Sequence, residues 1–141
     1  MFRVVRLMSR LLFILALGWA LPWTLLGLMV GLAARASGGG CRRVGRVLEF
    51  HGGVVERLLR WVPIAGGAAA MTLGHCVIGR TRDDLDRSRK HELVHVAQYE
   101  RWGPLFVPAY FACSAWCWLR GYRPYRDNPF EVEAYGKEGL S

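Results

Sequence analysis

The chain has little from which to build a cysteine framework. Its four cysteines, Cys41, Cys76, Cys113 and Cys117, form no CxxC pair and follow no zinc-ribbon spacing. That excludes a ribbon-type zinc module and leaves no disulfide scaffold. Cys113 and Cys117 stand four apart in an apolar stretch, the placement of small buried hydrophobes on one helix face. No internal repeat is present. Despite a formal net charge of +8, no stripe of Lys and Arg is interleaved with aromatics and no nucleic-acid-binding motif occurs, so nucleic acid is not expected as a partner. A length of 141 residues bounds the answer at one modest domain.

Charge is missing altogether from Leu11 to Ala34, a run of 24 residues flanked by Arg3, Arg6 and Arg10 before it and Arg35 after it. At ~1.5 Å per residue a helix of that length crosses ~30 Å of hydrocarbon. The run exceeds the h-region of a signal peptide, and Arg35 suits a cleavage site poorly. It is therefore expected to be an uncleaved single-pass anchor over residues 1–35, with Pro22 tolerated inside it. The bilayer is the implied partner, since arginines beside the span are drawn to anionic headgroups. Arg42, Arg43 and Arg46 follow closely, so the positive-inside balance assigns no side of the membrane.

Residues 36–43, rich in glycine, read as a flexible linker, and residues 44–141 as the functional domain. Val44 to Phe50 predicts one strand, and Val54 to Trp61 a short helix. Two apolar segments about Gly74 predict extended structure with a tight bend. Thr81 and Asp84 resemble a capping box, so a helix should begin there and stop at Gly103-Pro104. Pro104 to Leu119 predicts a buried or interface-lying apolar helix. Asn128 followed by Pro129 predicts the start of a last helix. The class is α+β: a membrane helix, a few strands, the motif helix, an apolar helix and a C-terminal helix.

The chemistry is concentrated in His91-Glu92-Leu93-Val94-His95. On a helix the two histidines share a face four residues apart, and the carboxylate is displaced to one side. This is the pattern of two zinc ligands with a general base, Glu92, that takes a proton from water. A catalytic zinc takes three protein ligands, so one is missing from the pentapeptide. Glu131 is the favoured third ligand, with Glu133 and Asp127 as substitutes; two residues apart on a helix, Glu131 and Glu133 point about 200° from each other, so at most one of them faces the metal readily. Glu131 has a competing use as a cap, since it lies three residues after Asn128 and can reach back to that amide. Tyr135, Tyr99 and His75 are candidate oxyanion donors or supporting groups.

HELVH with a downstream Glu on a second helix resembles the gluzincin group of zinc metallopeptidases, especially its small and membrane-linked members. The HELVHVAQY context is also similar to short domains carrying HExxHxxQ. The resemblance covers about residues 68–138. It implies a zincin-like fold, with a strand layer ahead of the motif helix and a second helix completing the site. It maps the third ligand onto Glu131 of Glu131-Val132-Glu133-Ala134-Tyr135, and places Tyr135 where the family usually has an aspartate that orients a ligand histidine. The expected function is a membrane-anchored zinc-dependent peptidase acting on a peptide or protein. The alternative is a non-catalytic membrane protein that keeps the fold for assembly or partner binding. Oligomeric state has no signature in the sequence.

Overall fold

The computed structural model describes residues 2–64 and 66–139, with the side chains of residues 2 and 3 outside that description. Its class is α+β, as expected, but the apolar run is not one helix. Helix α1 spans Phe2–Trp19 and α2 spans Leu21–Ala36; the two are bent by 67° at the break between them. Pro22 accounts for the break: it lacks an amide hydrogen, and its ring collides with the carbonyl four residues earlier in a continuous helix. Among the described residues no single helix is long and apolar enough to cross a membrane, although the bent pair together passes by length and composition.

α2 also covers one face of the sheet. Gly27, Gly31 and Ala34 are its buried residues. A Cβ at Gly27 would lie 2.6 Å from Cys76 Cβ, and one at Gly31 would lie 2.4 Å from the Phe50 ring. The small residues thus let the helix backbone approach the strands. The expected boundaries differ here from those in the structure, because the second half of the 1–35 segment is part of the packed body.

The glycines after α2 form a tight turn and a strand rather than a loose linker. Gly38 takes φ of 94°, and Gly39 N–H donates to Ala34 O at 2.8 Å. Gly40 then opens β1 (Gly40–Val44). β1 pairs antiparallel with β2 (Val47–His51) across Gly45-Arg46. The single strand expected from Val44 to Phe50 is therefore a hairpin, turned by Gly45 at φ of 57°.

Helix α3 (Val54–Arg60) crosses from β2 to β4 (Cys76–Gly79), which lies parallel to β2. β3 (Ala70–Leu73) pairs antiparallel with β4 about the bend at Gly74, as the sequence suggested, giving the order β1-β2-β4-β3. All four β4 residues are buried, and the period-2 alternation explains why. Cys76 and Ile78 join Phe50, Val55 and Leu59 on the α2–α3 side. Val77 joins Val47, Leu85 and Val96 on the other, where α4 (Arg82–Trp102) lies.

The remaining helices are α5 (Phe106–Leu119), entered through a 3-10 turn at Gly103–Leu105, and α6 (Pro129–Glu138). Tyr99, Phe106 and Phe130 meet in a third cluster that joins α4, α5 and α6 to Ala20 at the α1–α2 break.

Candidate metal centre

Thr81 caps α4 as predicted: its hydroxyl accepts from Asp84 N at 3.1 Å and donates to Asp84 Oδ2 at 2.8 Å. Asp83 and Asp84 add negative charge to the first turn, where the helix dipole favours it. This places His91 and His95 in mid-helix, one turn apart on a buried face. Their Nε2 atoms approach to 3.1 Å.

Asn128 begins α6. Its side chain accepts from Phe130 N at 3.0 Å and donates to Tyr110 O and Ser114 Oγ, which fixes the helix start to α5. Glu131 has no part in that cap. Its Oε2 lies 3.0 Å from His91 Nε2, and its Oε1 lies 3.4 Å from His95 Nε2. Oε1 also accepts a hydrogen bond from Tyr110 Oη at 2.7 Å.

His91, His95 and Glu131 are thus a buried group of two nitrogens and a carboxylate oxygen, close enough to share one ion. Tetrahedral ligands ~2.05 Å from zinc stand about 3.3 Å from each other; the two Nε2 atoms are 3.1 Å apart, and each faces a different oxygen of the Glu131 carboxylate, Oε2 at 3.0 Å from His91 and Oε1 at 3.4 Å from His95. Neutral imidazole and carboxylate are also the donors a catalytic zinc site uses. No known protein family, curated protein or solved structure matches the chain.

Gln98 ties the ligand helices together. Its Oε1 lies 2.8 Å from His95 Nδ1, while its Nε2 donates to Phe130 O at 3.0 Å and Glu133 Oε2 at 2.8 Å. An Nδ1–H donated to Gln98 leaves the His95 Nε2 lone pair for a metal. Nδ1 of His91 is buried and makes no hydrogen bond among the described residues; Glu138 Oε2 stands 3.4 Å away. Tyr135, where the family resemblance expects an aspartate, packs its ring on His91 at 4.5 Å between centroids. Its hydroxyl lies 3.3 Å from that of Tyr125.

Glu92 is buried, and its carboxylate is held from β3. Its Oε2 accepts from Thr72 Oγ1 at 2.7 Å, and Tyr99 Oη donates to Thr72 O at 3.1 Å. Burial raises the Glu92 pKa, outweighing the pull of His95 and the Thr72 hydrogen bond. A cavity of about 310 Å³ adjoins Glu92, His91, His95 and Glu131, with Trp23, Leu73, Phe106 and Val107 in its wall. A wider groove of about 780 Å³ meets the same His91 and Glu92 from the side of Arg87, Arg123 and Arg126.

Two sequence candidates lie elsewhere. Glu133 faces Gln98, Arg101 and Lys137, whose hydrogen bonds hold its carboxyl down at about 2. His75 sits at the β3–β4 bend, where its Nε2 lies 2.9 Å from Glu100 Oε1. Thr72, Tyr110 and Tyr125 line the cavity, and sequence reasoning did not single them out. For Gln98 a signal existed in the HExxHxxQ spacing. For Tyr110 it was a lone phenol in an otherwise apolar helix.

In the metal-free chain burial opposes charge on His95, but Glu131 and Glu92 outweigh it and raise its pKa to about 9. Burial likewise opposes the Glu131 charge, and the two histidines outweigh it and hold the pKa at about 2. The raised histidine contributes stability that is complete below its unfolded pKa of ~6.5 and is lost as pH rises through about 9. The depressed carboxylate contributes stability present above ~4.5 and lost as pH falls through about 2. A metal must displace the His95 proton, so zinc binding near pH ~7 is expected to release about one proton per chain. Calorimetry in buffers of different ionisation enthalpy measures this, and zero release contradicts a charged His95.

Proposed function

We propose that this chain is a membrane-held, zinc-dependent metallopeptidase of gluzincin-like type, with His91, His95 and Glu131 as metal ligands and Glu92 as general base. One observation carries the reading. Given a free choice between its own helix cap and the histidines, the Glu131 carboxylate turns one oxygen to each of the two Nε2 atoms.

When bound, zinc supplies a Lewis acid that polarises a carbonyl and makes water more acidic. The chain's own groups divide the remaining work. Thr72 fixes the Glu92 carboxylate, whose raised pKa suits it to take a proton from the attacking water and return it to the leaving nitrogen. Tyr110 holds Glu131 and Gln98 holds His95 in ligand orientation. The apolar wall of Trp23, Phe106 and Val107 limits water beside the reacting bond. Tyr125 and Tyr135, with hydroxyls 3.3 Å apart, line the wider groove and are phenols available to a developing oxyanion.

Zinc analysis of the full chain in detergent is expected to give about one ion per chain, and Glu131→Gln should lower that occupancy sharply. Equal zinc in the variant removes the site. If the wild type holds zinc but cleaves nothing in a peptide library, the non-catalytic reading takes its place.

A further inference from the structure

Helix α1 does not have the surface of a membrane span. At ~100° per residue, Val4, Leu7, Met8, Leu11, Leu12 and Leu15 share one side, while Arg6, Ser9 and Arg10 share the opposite one. All six apolar residues are more than half exposed, between 53% and 65%, so the body of the protein covers none of them. The contacts α1 does make come from elsewhere on it: the Phe13 ring stands 6.5 Å from His75, and the Trp19 indole packs against Gly103.

The uncharged stretch of α1 is also too short to cross. From Leu11 to the bend after Trp19 there are nine residues, about 14 Å of helix against ~30 Å of hydrocarbon. Beyond the bend, α2 is committed to the sheet through Gly27 and Gly31.

We infer that the protein is monotopic: α1 lies in the plane of an anionic leaflet, its leucine side in the acyl boundary and Arg6 and Arg10 among the headgroups. A helix with one apolar side, one arginine side and both sides exposed matches that boundary and no other solvent. Charge complementarity selects the anionic lipid, given the net charge of +8. The outward side of α5 extends the contact. Phe111, Trp116, Trp118 and Leu119 are all more than half exposed there, with Arg120 stacked on Trp116 at 4.5 Å. Aromatics and arginine in this combination suit the headgroup level. α5 starts beside the α1–α2 break, where Trp23 Nε1 donates to Pro104 O at 3.3 Å.

The inference specifies how the protein proposed above is held to a membrane, and it is tested without reference to hydrolysis. Full-length protein is mixed with vesicles of phosphatidylcholine, with and without phosphatidylglycerol. Arg6→Gln with Arg10→Gln should weaken binding to the anionic vesicles by about 30-fold at low salt, and little at high salt. Leu11→Glu with Leu12→Glu should abolish binding at either salt. Zinc content serves as the folding check on each variant, so a lost metal site and a lost membrane contact are read separately. Sidedness decides against the single-pass alternative. A membrane-impermeant maleimide should reach Ser9→Cys, on the arginine side of α1, and the exposed native Cys41 from the same side of sealed membranes. Labelling from opposite sides, or unchanged vesicle binding in the leucine variant, overturns the inference.

Discussion

Glu92→Gln is expected to keep its zinc and to lose about 10²–10⁴-fold in turnover, the range a positioned general base contributes. The carboxylate is not one of the three clustered ligand groups, so removing its charge leaves the metal donors in place. Glutamine preserves the volume and an oxygen to accept from Thr72 Oγ1, which now stands 2.7 Å from Glu92 Oε2. What it cannot do is accept a proton from water. Zinc content and the rate on a peptide substrate, measured on the same preparation, check both halves. Loss of zinc in this variant would make Glu92 a ligand, and an unchanged rate would make it a bystander.

Gly31→Leu is expected to destabilise the fold by at least about 1–3 kcal/mol, the cost of overpacking a filled interior. The first added atom already lies 2.4–2.6 Å from the Phe50 ring, and Phe50 is itself confined among Val55, Leu59 and Ile78. Gly18→Ala is the matched control, because a Cβ there meets nothing within 4 Å among the described residues. That change should be neutral or stabilising through helix propensity. Denaturant unfolding in detergent measures both. If Gly31→Leu unfolds with the wild type, α2 does not rest on the sheet.

The elements that position the histidines could be read locally, because their signals are local. Thr81 with Asp84 marks one end of α4 and Gly103-Pro104 the other, and the structure keeps both. Gly74 marked the β3–β4 bend for the same reason. Glu131 could not be decided that way: three residues after Asn128, a cap and a ligand have the same sequence signature. The choice is made by His91 and His95 on α4 and by Tyr110 on α5, partners fixed only by tertiary packing. Thr72, which holds Glu92, is likewise brought in by a strand of the sheet. The apolar run misled for another reason. Composition over Leu11–Ala34 is uniform, and a proline that a membrane helix can absorb is also one that can end a helix. Only the packing of Gly27 and Gly31 shows which happened.

The separation of the ligands along the chain has a consequence in time. His95 and Glu131 are 36 positions apart, and Glu131 reaches the histidines only once α6 is anchored by Asn128 and gripped by Gln98. At ~5–20 residues per second of synthesis, the histidine pair exists for about 2–7 s before the carboxylate that completes it has been made. On the peptidase reading proposed above, a nascent chain would be inert until α6 has docked, and would not cut its neighbours on the way out.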